Sequence, residues 1–374
     1  MKVKITKLNK IKHIKIKRGF VVCGDVHLYN NYPYNNYTNV ISDRLLDITR
    51  AVKKAGKAAR LYKLPLILNG DIITSGIFDY PVEHVLTDFL LEFKDIEIFI
   101  NLGNHDLDGD VSVLEPLIEI SEKKHHHVIT KAKMFKHKGM SFFIAPFEKE
   151  KNAIKTINTL LKTTRMNNYS VLFIHNSFKG SVFANKVKSK SGIEQNNFTD
   201  KFDLIVASHI HKYQKICNGK GFYTSSIIPL NFGEKSKEHG YHIVDVDNDI
   251  RYFVIPKSPK FVLIKRSNIK TTNDSKINNN IIKVINDLNK PIDKMKIRNE
   301  LMSRGARFVT FKNKKIESTS KLPQIKNKTP EQIVVNYSKV LSEEFDYDQD
   351  ILEKEGLNIL NETKKEVARK TQSR

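Results

Sequence analysis

The chain has 374 residues, with 64 Lys and Arg against 41 Asp and Glu for a formal net charge of +23. This length and apolar content suit a globular protein with one large domain and one or two smaller ones, and exclude an intrinsically disordered chain. Two cysteines, Cys23 and Cys217, exclude a disulfide framework, and no apolar run approaches the roughly 18 residues of a membrane span.

The basic start, Lys2 to Arg18, is not followed by a signal-peptide apolar region, so a cytoplasmic protein is expected. The charge favours polyanionic partners such as nucleic acid, although a Lys, Asn and Ile-rich composition also follows from a biased genome. Residues 1–19 alternate Lys with Val, Ile and Leu, the period of a basic strand at a sheet edge. Its lysines either contact nucleic acid or protect the edge from pairing.

The first firm strand is Phe20 to Cys23, closing in Gly24-Asp25-Val26-His27. Asp25 and His27 lie two apart at a strand end, so both can grip one metal. A helix follows with Ile41, Leu45, Ile48 and Val52 on one face, then the strand Leu64 to Leu68, which ends in Asn69-Gly70-Asp71. A second helix carries Val82, Val85, Leu86, Phe89, Leu90 and Phe93, and the next strand runs into I-N-L-G-N-H-D, Ile100 to Asp106. Gly103 lets the backbone turn so that Asn104 and His105 point into one small space; G-N-H-D alone would also suit a polar turn. This β-α-β-α-β alternation predicts an α/β domain with a parallel sheet, whose ligands collect at the carboxyl ends of strands.

Val111 to Ile120 reads as helical, and Lys138-Gly139 as the turn of a hairpin. His125, His126 and His127 read as a surface turn, because three consecutive side chains cannot face one site on a regular element. Tyr169 to Ile174 is a buried strand ending in His175-Asn176, and Leu204 to Ala207 another ending in Ser208-His209-Ile210-His211. The segment Lys179 to Lys190 is either a phosphate-contacting insertion or a solvated loop. Phe222 to Thr224, His242 to Val246 and Tyr252 to Ile255 read as antiparallel strands completing the sheets.

Past Pro256 and Pro259 the composition shifts, and a small domain is expected. It comprises a strand at Phe261 to Arg266, a helix at Ile281 to Leu288, a helix at Met295 to Met302 and a strand at Arg307 to Phe311. Ser318 to Lys328 is a linker by composition. Thr329-Pro330-Glu331-Gln332 is a capping box, and Ile333, Val334, Tyr337, Val340 and Leu341 form the apolar face of its helix. A last helix carries Ile351, Leu352, Ile359 and Leu360. The expected domains are thus 1–257 catalytic, 258–317 capping, 318–328 linker and 329–374 helical tail.

Collected, the strand ends offer Asp25, His27, Asp71, Asn104, His175, His209 and His211. Seven N/O ligands suffice for two adjacent divalent ions with open positions, and a carboxylate such as Asp71 can bridge them. Imidazole and carboxylate without thiolate favour Mn²⁺, Fe²⁺ or Zn²⁺ over Ca²⁺. The ordered series D-x-H, G-D, G-N-H-D, H and H-x-H resembles the calcineurin-like metallophosphoesterase superfamily over roughly residues 18–255. Within it, G-D-V-H-L at Gly24 to Leu28, G-N-H-D-L at Gly103 to Leu107, S-H-I-H-K at Ser208 to Lys212, F-Y-T-S-S and N-F-G-E at Asn231 to Glu234 resemble SbcD-type DNA-repair nucleases, which are related to the meiotic-recombination-eleven nuclease and to phage recombination endonuclease subunits.

That resemblance implies a two-sheet α/β sandwich flanked by helices, with a small α+β capping domain and a C-terminal helical tail. It implies that Asp25, His27, Asp71 and His211 hold one metal and that Asp71, Asn104, His175 and His209 hold the other. His105 would stabilise the transition state or protonate the leaving oxygen, and Asp106 would orient it. Two ions, Mn²⁺ foremost, a DNA substrate, an SbcC-type ABC ATPase partner docked on the tail and the cytoplasm of a bacterial or phage-infected cell complete the expectation, which leaves room for a homodimer. No G-x-x-x-x-G-K-[ST] is present, so any ATP dependence comes from a partner. The chain departs from the pattern at Ser208, where relatives carry Gly, and at Thr74, where nuclease relatives often carry an acid or His.

Overall fold

A computed structural model describes all residues except 12–13, 39, 75–78, 110, 116, 118–124, 166–168, 235–237, 289–291, 314–328, 346–347 and 373–374. The chain forms two units, Met1–Lys312 and Asn313–Arg374. The first is a mixed α/β body built on two sheets. Lys2–Thr6, Ile250–Val254, Tyr241–Asp245, Gly19–Cys23, Leu66–Asn69, Ile98–Asn101 and His126–Ile129 lie side by side in one seven-stranded sheet. Lys133–His137, Met140–Ala145, Tyr169–His175, Leu204–Ser208, Gly221–Tyr223 and Gln214–Ile216 form the second.

Alternation along the strands makes the layers. In Gly19–Cys23 the side chains of Phe20 and Val22 enter the core between the sheets, while Val21 and Cys23 face the opposite way. The inner core joins Phe20, Val22, Ile67 and Phe99 of the first sheet to Phe142, Ile144, Phe173 and Val206 of the second. Helices Asp43–Tyr62 and Tyr80–Glu92 cover the outer face of the first sheet through Leu45, Ile48, Val52, Val82, Leu86 and Phe89. Ser42 and Asp79 start these helices by accepting the backbone N–H of Leu45 (3.2 Å) and Val82 (3.1 Å). Helix Glu150–Thr163, which the sequence reading passed over, covers the second sheet with Ala153 and Ile157. Both cysteines are free and buried.

The basic edge strand expected over residues 1–19 exists only over Lys2–Thr6, pairing in parallel with Ile250–Val254, and Leu8–Lys10 is a short 3₁₀ turn instead. The hairpin at Lys138-Gly139 also forms, with positive φ at both residues (45° and 76°), the conformation that suits a two-residue loop. Other expectations are corrected. Of the surface turn read at His125 to His127 only His125 is one, exposed with φ 58°: His126–Ile129 is a strand paired in parallel with Ile98–Asn101, so His126 is fully buried and His127 lies on the other face. Gly221–Tyr223 is antiparallel only to Gln214–Ile216 and parallel to Leu204–Ser208. Within the segment read as helix at 111–120, Val111–Ser112 is a short strand against Leu107–Asp108, and residues 116 and 118–120 lie outside the described residues.

Phe261–Lys265, Ile281–Asn286 and Phe308–Asn313 make a separate three-stranded sheet. The helix expected at Ile281 to Leu288 is therefore a strand, because Ile281, Ile282, Val284 and Ile285 are β-branched and find Phe261–Lys265 in parallel register. Helix Lys294–Ser303 covers this sheet, burying Ile297 and Leu301 against Ile264, Val284 and Val309.

The second unit contains helices Pro330–Phe345 and Gln349–Gln372. Both halves of the capping box are made: Gln332 N–H donates to Thr329 Oγ1 (3.3 Å), and Thr329 N–H to Gln332 Oε1 (3.0 Å). Gly356 lies against Val334, and Lys364 pairs with Glu331, which runs the two helices antiparallel. The linker read at Ser318 to Lys328 lies outside the described residues. Among the described residues no helix is long and apolar enough to cross a membrane.

Candidate metal centre

Five parallel strands, three from one sheet and two from the other, end at one place. Gly19–Cys23 delivers Asp25 and His27, Leu66–Asn69 delivers Asp71, and Ile98–Asn101 delivers Asn104 and His105. His175 is the last residue of Tyr169–His175, and His209 and His211 follow Leu204–Ser208. Local backbone makes the convergence possible. Asp25 (φ 48°), His27 (53°), Asp71 (50°) and His209 (97°) all occupy the left-handed region, a strained conformation for residues with side chains. Gly70 and Gly103 let the chain pass close beneath, since a Cβ on them would stand 2.0 Å from His175 Nδ1 and 2.1 Å from Asp71 Oδ1.

Two groups of ligand atoms result, Asp25, His27, Asp71 and His211 in one and Asp71, His175 and His209 in the other, the atoms of each lying within 4.8 Å of one another. Asp71 belongs to both. Its Oδ2 stands 3.5 Å from His27 Nε2 and 3.3 Å from His175 Nε2. Asn104 Oδ1 joins the second group, 2.9 Å from His209 Nδ1. All seven strand-end residues are thus brought together. Asp25 Oδ2 is buried without a hydrogen-bond partner, which is costly unless something occupies the space it faces. Buried oxygen and imidazole donors with no thiolate fit divalent cations.

The electrostatics agree. Burial pushes the His27 and His209 imidazoles down, to about 3 and about 4, so both are neutral as ligands must be. Burial would also lower His175 and His211, but Asp71 and Glu234 respectively outweigh it and raise each to about 9. A cation bound there would take the place of the protons that these carboxylates favour on the two imidazoles.

His105 is exposed at the mouth of the cluster, its ring edge-on to His27 with centroids 5.1 Å apart. Its backbone N–H donates to Asp71 Oδ1 (3.0 Å). Asp106 is fully buried, and its carboxylate accepts backbone N–H bonds from Ile72 (2.8 Å), Ile73 (2.9 Å) and Gly103 (2.8 Å). It thereby ties the Asp71 loop to the Asn104 loop, and burial with nearby Asp71 raises it to about 7. Ser208, in place of the usual Gly, hydrogen-bonds Thr224 Oγ1 (2.8 Å) and accepts from Asn69 Nδ2 (3.0 Å) beneath the site. The Thr74 hydroxyl lies 3.4 Å from Tyr32 Oη, which itself donates to the carbonyl of His27 (2.8 Å).

Sequence reasoning gave no role to Glu234 or Phe147. Glu234 lies 2.9 Å from His211 Nδ1, and the Phe147 ring stacks on His209 at 6.0 Å. The acid closing N-F-G-E was the one visible signal for Glu234.

The calcineurin-like phosphoesterase family model matches residues 19–213, more than half of the chain. No curated protein matches. A solved structure, a dimetal phosphatase from Danio rerio, aligns over 61% of this chain and 92% of that one at 11% identity, with a TM-score of 0.37.

Proposed function

Because this chain belongs to the calcineurin-like phosphoesterase family, whose members hydrolyse phosphoesters at a dimetal site, we propose that it is a metal-dependent DNA nuclease of the SbcD type. The observation that carries the hydrolytic reading is the pair of ligand groups sharing Asp71. Asp25, His27, Asp71 and His211 would hold one cation, and Asp71, Asn104, His175 and His209 the other, with Mn²⁺ the expected ion. Bound there, the cations would supply Lewis acidity at the phosphoryl group and acidify water. The protein's own residues do the rest. Asp71 holds the two ligand groups in register, and its Oδ1 fixes the His105 backbone. That places an exposed imidazole beside the cluster, where it can donate a proton to the leaving oxygen. Asp106 locks the two loops from below.

A DNA substrate is supported by the +23 charge and by the motif resemblance. The proposed division is a catalytic domain over 1–257, a capping domain that helps hold DNA over 258–317, a linker over 318–328 and a tail over 329–374 that docks on an SbcC-type ABC ATPase. The deciding experiment incubates the purified protein with end-labelled DNA, with and without Mn²⁺, beside a phosphomonoester. Mn²⁺-dependent cleavage of DNA with an inert monoester is expected. Turnover of the monoester with intact DNA would replace the nuclease by a phosphatase.

A further inference from the structure

Glu234 is a carboxylate with almost no exposure, set in the turn after the strand Gly221–Tyr223, and it sits behind one ligand of one ligand group only. Oε1 stands 2.9 Å from His211 Nδ1 and accepts from Asn231 Nδ2 (3.0 Å). Oε2 accepts from the Ser226 hydroxyl (2.9 Å) and from the Leu230 backbone N–H (3.0 Å), with His239 Nδ1 at 3.8 Å. This is more support than a turn needs, and it is aimed. A carboxylate has only acceptors, so the ring nitrogen facing it must carry the proton. On the far side of the ring, His211 Nε2 lies 3.1 Å from His27 Nε2 and 3.9 Å from Asp25 Oδ1, inside the ligand group.

We propose that Glu234 is the positioning residue of His211: it holds Nδ1–H, fixes the plane of the ring and so presents Nε2 to the cation shared with Asp25, His27 and Asp71. This rests on the reading of the site as a two-ion centre and adds that the two ions depend on different supports. His175 takes its orientation from elsewhere, its Nδ1 lying 3.2 Å from the Asn69 carbonyl, and His209 Nδ1 faces Asn104. Loss of Glu234 therefore acts on one ion and spares its neighbour. Partners of this kind behind a ligating imidazole typically change metal affinity by about 10- to 100-fold.

The test is titration of the metal-depleted full-length protein with Mn²⁺, followed by calorimetry and by electron paramagnetic resonance. Wild type should take up two ions and show the spin-coupled signal of a Mn²⁺ pair. Glu234→Gln, which keeps shape and one acceptor but not the charge, should weaken one of the two binding events by about 10-fold or more and yield the signal of an isolated Mn²⁺ at stoichiometry that fills the pair in wild type. Glu234→Ala should do so more strongly. Ser226→Ala removes a bond that holds the carboxylate in its turn without removing Oε1, and should weaken the same binding event by less than Glu234→Gln does. Equal weakening of both ions in Glu234→Gln, or unchanged binding of both, would overturn the assignment. Failure of wild type itself to bind two ions would instead overturn the two-ion reading of the site.

Discussion

Asn104 and His105 are adjacent in sequence, yet Asn104 turns into the cluster against His209 while His105 stays exposed at its mouth. The two substitutions should therefore separate binding from chemistry. Asn104→Ala removes a ligand oxygen and is expected to release metal from the group containing His175 and His209. His105→Ala should keep both ions and lower turnover by about 10²-fold, the scale for a lost proton donor. Metal analysis of the purified variants checks this, and equal metal loss in both would refute the division of roles. The strand-end motifs were legible because each is local: an apolar run that stops at polar ligand residues, with a glycine at Gly24, Gly70 and Gly103 in three of the five. What was not legible is backbone conformation. Nothing in the spelling of Asp25, His27, Asp71 or His209 announces a left-handed φ, which the surrounding packing imposes. Glu234 was missed for a related reason, since its partner His211 is fixed only when two loops meet.

At the scale of elements, the misread segments share a cause. Ile281–Asn286 and His126–Ile129 are strands because distant strands pair with them, and local propensity cannot see a partner. The small sheet is also held to the body by contacts invisible in sequence. Arg307 forks between Asp43 Oδ2 and Asp47 Oδ2, 2.6 Å from each, at the start of helix Asp43–Tyr62. Asp47 is almost wholly buried and keeps Arg50 (2.8 Å) and Arg44 (4.0 Å), so removing the guanidinium takes away one of its three cationic partners and the link to Asp43. Arg307→Ala should destabilise the fold by roughly 1–2 kcal/mol, the loss of two charge-assisted hydrogen bonds with Asp47 still paired, and Arg307→Lys should recover only part, because an ammonium cannot fork. Chemical denaturation of the three proteins measures this. A second device sits beside the edge strand His126–Ile129, at the amino end of Ile98–Asn101. Burial would raise Glu97, but hydrogen bonds from His127 (3.3 Å) and His137 (2.9 Å) outweigh it and hold it at about 2, below its ordinary 4.5. A carboxylate depressed in this way stabilises the fold fully above about pH 4.5 and loses that contribution as the pH falls toward 2. Glu97→Gln should therefore be less stable than wild type at pH 6, with the gap closing on acidification. A gap that widens as pH falls would contradict the sign.

For the whole molecule, the question is what the second unit does. Its helices pack on each other through Val334 and Gly356, but Tyr337, Ile351 and Ile359 remain 48%, 62% and 64% exposed. Apolar side chains repeated along exposed helices are the anchors of helix-in-groove recognition, and a charged, polar stretch of Lys, Ser and Thr separates them from the body in sequence. The ligand groups, by contrast, come entirely from Asp25 to His211, within the unit Met1–Lys312. Truncation after Lys321 should then leave metal binding, the thermal transition of the body and intrinsic metal-dependent cleavage unchanged. It should abolish co-purification with the proposed ATPase and any stimulation by ATP. Calorimetry of the truncated chain separates the two possibilities directly. Aggregation, or a transition lowered together with lost cleavage, would mean that the tail completes the catalytic body, and the docking role would fall.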